Sequence, residues 1–146
     1  MSTPPPASPR LAAATDRATA SAASTTTTVP ARDGVPILVR RWRAADEPWA
    51  DVLLVHGIHE HSGRYEHVGA WLTAAGLDVT AYDLRGFGGS GGRRAYVTRW
   101  VEYEDDLQDR LAAVRRDAGG RPVVLFGHSL GGLLVIGYLL AEPRRP

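Results

Sequence analysis

The sequence predicts an α/β fold, a mostly parallel sheet flanked by helices. Three observations carry this expectation. Short β-branched apolar runs alternate with stretches whose apolar residues recur at helical spacing, and the strand-then-helix alternation occurs three times. Asp33-Gly34, Gly76 and Gly119-Gly120 punctuate the runs where turns must fall. One junction, Gly127-His128-Ser129-Leu130-Gly131-Gly132, lies between Val123-Val124-Leu125-Phe126 and an apolar stretch that reaches Leu140. It reads as strand, sharp turn, helix.

Residues 1–24 are mostly Ala, Ser, Thr and Pro, with almost nothing to bury against the entropy of ordering. They read as a disordered tail, and no charged start leads into a leucine-rich core as in a secretory leader. The folded part, residues 25–146, opens with the β-branched run 25–29, a turn at Asp33-Gly34 and a returning strand over 37–42. Residues 51–55 form a short continuous apolar run, as expected of a strand buried on both faces. Tyr65, Val68, Leu72 and Ala75 recur at helical spacing, with Gly76 as a stop. Residues 77–82 are the next strand. Trp100, Leu107, Leu111 and Val114 mark a second amphipathic helix, and residues 122–126 the strand leading into the glycine-flanked turn. The helix over 130–140 is apolar nearly all round and expects burial on more than one side.

Composition excludes several chemistries. The chain has 146 residues, 44% hydrophobic and 23% charged, with a net charge of +1, which suits a globular domain and points to neither nucleic acid nor an anionic membrane as main partner. Every basic residue is arginine. Without lysine there is no phosphate-binding P-loop and no Schiff base. Without cysteine there is no disulfide, thiolate nucleophile or cysteine-bound zinc. No stretch is long enough to span a membrane as a helix.

The glycine-flanked serine is the G-x-S-x-G pattern, in which a strained strand-to-helix turn lifts the seryl oxygen above the sheet. Glycines are needed where strand and helix cross too closely for a Cβ. Other patterns fail on their context. His59-Glu60-His61 begins like a metal-binding run, but Gly63 stands where the next ligand should be, and His56, His59, His61 and His67 read as loop residues shaping the mouth of a site. Gly86, Gly88 and Gly91 satisfy G-x-G-x-x-G, yet Asp83-Leu84-Arg85 separates them from the strand and no helix opens behind them. That segment reads as a compact loop whose backbone Asp83 and Arg85 hold by hydrogen bonds, with Arg93-Arg94 as a solvated face. His128 neighbours Ser129, but a tight turn points adjacent side chains apart, so packing or hydrogen bonding is expected of it rather than a base role.

Three segments together resemble the front half of an α/β-hydrolase, and specifically the monoacylglycerol lipase and lysophospholipase-like serine hydrolases. They are His56 through Tyr65, Tyr82 through Ser90, and Gly127 through Gly132, in that order after three successive strands. The resemblance implies a partial fold, truncated after the helix that follows the nucleophile. It implies Ser129 as nucleophile, with the backbone N–H groups of Ile58 and Leu130 as oxyanion donors. It implies a small-molecule ester or lipid substrate; no cofactor and no metal are expected, and a place in the cytoplasm is. In this fold an acid and then a histidine follow the serine. After Ser129 the sequence has Glu142 as its only acid and no histidine. The triad acid and base, and the lid, are therefore expected to be missing, and the chain alone to turn over little. The strand before Ser129 is expected to leave a bare apolar edge, open to self-association or to a non-catalytic binding role.

Overall fold

A computed structural model describes residues 23–141. All but the last two residues of the expected N-terminal tail, and Glu142, lie outside that span. Strand β1 (Thr25–Pro30) turns back into β2 (Pro36–Trp42). Strand β3 (Ala50–Val55) leads through a 3-10 turn (Ser62–Tyr65) into helix α1 (Glu66–Ala74). Then follow β4 (Leu77–Tyr82), α2 (Val101–Ala118), β5 (Val123–Gly127) and α3 (Leu130–Ala141). Element types and order agree with the sequence pattern.

The strands form one sheet in the order β1-β2-β4-β3-β5. β3 pairs in parallel with β4 and with β5, whereas β2 runs antiparallel to both β1 and β4. The sheet is therefore mixed: its parallel part is the β4-β3-β5 side, built by the helical crossovers, and the hairpin adds the antiparallel part. At the hairpin turn Gly34 has φ +85°, and Asp33 accepts a hydrogen bond from the Val35 N–H at 3.2 Å.

Period-two alternation along β3 explains why its run is apolar throughout. Leu53 and Val55 join a core with Tyr82, Leu107, Leu111, Leu134 and Tyr138, beneath α2 and α3. Val52 and Leu54 join the opposite core with Trp42, Val79, Ala81 and Tyr65, beneath α1. A strand covered on both faces has no position left for a solvated side chain. Arg85, just past β4, binds Asp106 of α2 through Nε at 2.7 Å and Nη2 at 2.8 Å, and Asp33 of the hairpin turn at 2.7 Å. Arg85 thus ties elements together by ion pairs instead of holding its own loop's backbone; only Asp83 does the latter. A two-pronged contact with the Asp106 carboxylate raises the Arg85 pKa and keeps the guanidinium charged.

β5 is at the sheet's margin, with β3 as its only strand neighbour among the described residues. Val124 and Phe126 on it are 46% and 42% exposed, and Leu133, Ile136 and Leu140 on α3 are exposed as well. The expected open apolar edge is present. Among the described residues no helix is long and apolar enough to cross a membrane.

Candidate active site

The three parallel strands end at one rim, and the loops that leave them there make the site. β5 ends at Gly127, α3 begins at Leu130, and Ser129 lies between with φ +52°. That left-handed conformation is costly for a residue with a Cβ and persists only where its surroundings fix it. They do so here. The His128 N–H donates to Val55 O at 3.0 Å, carrying the β3–β5 pairing past the strand, and the Leu133 N–H donates to Ser129 O at 3.0 Å, starting the helix. A Cβ on Gly127 would sit 2.6 Å from Gly131 O. One on Gly131 would strike Val55 O and lie 2.6 Å from His56 O. No side chain fits between these backbones. Leu130, as the first helical residue, has an N–H among those left without an intrahelical acceptor.

The loop after β3 faces this turn. A Cβ on Gly57 would come within 3.2 Å of Ser129 Cβ and 2.9 Å of His128 Nδ1, so the Gly57-Ile58 backbone passes directly against the elbow. Ile58 itself is half exposed. His56, buried at the base of the loop, donates from Nδ1 to Gly57 O at 2.6 Å and accepts at Nε2 from the Leu84 N–H at 2.9 Å. Burial pushes its pKa down. With both ring nitrogens engaged in the neutral form, His56 is a structural clamp and not a proton shuttle. Asp83 joins the loops after β3 and β4: its Oδ1 accepts from the Ser62 N–H at 2.6 Å and its Oδ2 from the Gly89 N–H at 2.8 Å. Phe87 forms T-shaped pairs with the rings of His56 and His59. Among the described residues no three His, Asp or Glu side chains group closely enough to hold a metal ion.

Glu60 and Tyr65 carry more than sequence reasoning assigned to them. Glu60 Oε2 accepts from the Gly57 N–H at 3.0 Å and from the Tyr65 hydroxyl at 2.6 Å, and lies 3.2 Å from His128 Nδ1. One carboxylate oxygen therefore joins the loop after β3, the 3-10 turn and the residue before Ser129. The Tyr65 hydroxyl bond comes first in holding the Glu60 pKa down to about 2, while burial raises that of Tyr65. His128 points to this cluster, the hydrogen-bonding role expected of it. A cavity of about 250 Å³ opens here, lined by Glu60, Arg64, Tyr65, His67, Phe126 and His128. The only trace of the cluster in the sequence is a glutamate five residues before a tyrosine, which has no meaning until the 3-10 turn folds one over the other.

A parallel β4-β3-β5 core, helices on both faces and a left-handed serine between strand and helix define an α/β-hydrolase. Residues 46–146 match the family described as serine aminopeptidase, S33, and the chain belongs to that family. Its relatives include a monoacylglycerol lipase of Mycolicibacterium smegmatis, 39% identical over 105 residues, which are 72% of this chain and 38% of that protein. Human monoglyceride lipase is 36% identical over 114 residues, 78% of this chain and 37% of that protein. Among solved structures, a soluble variant of monoglyceride lipase from Saccharomyces cerevisiae, in complex with a substrate analog, superposes with a TM-score of 0.74. It is 24% identical, over 80% of this chain and 40% of that one, and shows the fold alone. A thioesterase domain from the curacin biosynthetic pathway superposes at 0.69, with 26% identity over 84% of this chain and 43% of that one. The chain thus spans about two fifths of the length of each of these four proteins.

Proposed function

We propose that this chain carries the nucleophile and the oxyanion donors of a serine ester hydrolase acting on a monoacylglycerol or a similar lipid ester. The observation behind this is Ser129, a single left-handed residue between β5 and α3 with Gly57 packed against it. Relatives named as monoacylglycerol and monoglyceride lipases support the substrate class. In this reading Ser129 Oγ attacks the ester carbonyl carbon while its proton passes to a general base. The carbonyl oxygen becomes an alkoxide facing the N–H groups of Ile58 and Leu130. Collapse expels the alcohol, which takes the proton back from the base, and water then releases the acid from the acyl-enzyme. Among these 146 residues no histidine and a single acid, Glu142, follow Ser129, so in this reading the chain alone turns over little.

Two measurements test this. A fluorophosphonate probe is expected to leave one slow adduct, mapped by mass spectrometry to Ser129 and absent from Ser129→Ala; an adduct indifferent to that substitution overturns the nucleophile. Steady cleavage of p-nitrophenyl esters at ordinary enzyme rates, abolished by Ser129→Ala, overturns the incompetence of the chain, since loss of one triad member lowers rate by several powers of ten.

A second reading is favoured by the exposed Val124, Phe126, Leu133 and Ile136. It is a non-catalytic module that associates, with a second copy or another chain, through the open edge of β5. A discrete soluble oligomer on gel filtration supports it, and rapid aggregation counts against it.

A further inference from the structure

The net charge of +1 is an average that hides a local excess. Residues 84–101 contain four arginines and no carboxylate. Arg85 turns inward to Asp106 and Asp33. The other three, Arg93, Arg94 and Arg99, face solvent. Arg93 lies over the Tyr96 ring at 4.6 Å, and Arg94 donates to Gly88 O at 3.0 Å. Arg99 reaches Glu102 only at 3.9 Å, with its side chain 73% exposed. On the adjoining helix Asp105 and Asp109 bind Arg32 and Asp106 binds Arg85, while Glu102 lies 3.4 Å from Arg85 and 3.9 Å from Arg99. Tyr96 and Trp100, both exposed, alternate with these arginines along the chain, and Trp100 forms a T-shaped pair with Tyr103 at 5.7 Å.

This loop is built rather than slack. The Gly86 N–H donates to Gly91 O at 2.8 Å, the Ala95 N–H to Gly86 O at 3.1 Å and the Gly91 N–H to Pro36 O at 2.7 Å. It leaves β4 at the same rim as the elbow, and Phe87 ties it to the rings of His56 and His59.

We infer that this basic and aromatic loop docks the protein on a lipid bilayer carrying anionic headgroups. Exposed arginines are drawn to the negative surface potential of such a bilayer. Tyr and Trp suit the headgroup boundary, where a polar edge stays wet while the ring body is buried. A small patch with interleaved aromatics on a nearly neutral protein fits a lipid surface better than nucleic acid, which rewards many spaced phosphate contacts. Docking of this kind goes beyond the proposed ester chemistry and holds whether or not Ser129 is acylated.

Co-sedimentation of the full chain with vesicles tests it. Binding is expected to vesicles of equal parts phosphatidylcholine and phosphatidylglycerol and to fall with added salt, with little binding to phosphatidylcholine alone. Arg93→Gln/Arg94→Gln is expected to weaken partitioning roughly twenty-five-fold, about fivefold per arginine at the surface. Arg115→Gln/Arg116→Gln, which removes the same charge from the far end of α2, is expected to leave it unchanged. Equal binding to neutral vesicles would assign the effect to the apolar face of α3 and overturn the inference. So would equal losses in the two double variants, or retention of duplex DNA without retention on vesicles.

Discussion

β3 and β5 are both short, mostly apolar strands and live in different surroundings. Leu53, Leu54 and Val55 are wholly buried between two strands and two layers of helix. Val124 and Phe126, from an equally apolar run, have one strand neighbour among the described residues and nearly half their surface in water. A strand's composition states how much cover it is suited to, and β5 has the composition of an interior strand at a margin. α3 repeats the contrast on one helix: Leu134 and Tyr138 are buried while Leu133, Ile136 and Leu140 are not. The difference has a direct consequence for stability. Leu54→Ala is expected to cost about 2–5 kcal/mol of unfolding free energy, as truncations in a close-packed core do. Phe126→Ala is expected to cost about 1 kcal/mol, less than in the core because the residue is already 42% exposed. Denaturant midpoints read both. Equal losses would mean that β5 is covered in solution, which would favour association through that edge.

A second pair sharpens the comparison within α3. Gly131 lies against the ends of β3, where an added methyl meets Val55 O and comes 2.6 Å from His56 O. Backbone on that side cannot yield without moving the loop after β3, so Gly131→Ala is expected to cost about 1–3 kcal/mol. Gly137, further along the helix, has open space where a methyl would stand, with nothing within 4 Å. Gly137→Ala is expected to gain up to about 1 kcal/mol, since alanine is the better helix former. Opposite signs from one substitution on one helix would locate the tight crossing at the elbow; equal effects would remove it.

Ser129 has a smaller expected effect. Its φ of +52° strains any residue with a Cβ, so Ser129→Gly is expected to be more stable than Ser129→Ala by about 1 kcal/mol. Thermal unfolding of the two variants compares strain without any readout of catalysis. No difference between them would remove strain as a property of this turn.

Most of the fold is legible in the sequence because its signals are local. The alternation of apolar runs, Gly76 and Gly119 as helix stops, and the glycines around Ser129 each act within a few residues, and the elements fall where they indicate. What the sequence hides depends on contacts distant along the chain. That β2 pairs antiparallel with β4 is set by the hairpin docking on the sheet, which no run of β2 encodes. Arg85 reads from sequence as a backbone brace because its partners Asp33 and Asp106 lie 52 and 21 residues away. Glu60 reads as one more residue of a histidine-rich loop, although its carboxylate meets His128 across 68 residues.

That carboxylate also has a titration that can be followed. Its pKa is held at about 2 against an ordinary 4.5, first by the Tyr65 hydroxyl and then by the Gly57 N–H and His128. Because the folded value lies below the unfolded one, the stabilisation is fully present above pH 4.5 and is lost as pH falls toward 2. Tyr65→Phe removes the leading donor, so Glu60 is expected to titrate nearer its ordinary value and the acid-side loss of stability to shrink. The stability change is expected to be about 1 kcal/mol, because one hydrogen bond is lost while the Gly57 N–H and His128 still serve the carboxylate. Carboxyl-carbon NMR titration reads the pKa directly in both proteins. A Glu60 pKa unmoved by Tyr65→Phe would mean that the loop after β3 is held to the elbow by its backbone alone, and that the polar cluster at this rim contributes no more to order than the open side of β5.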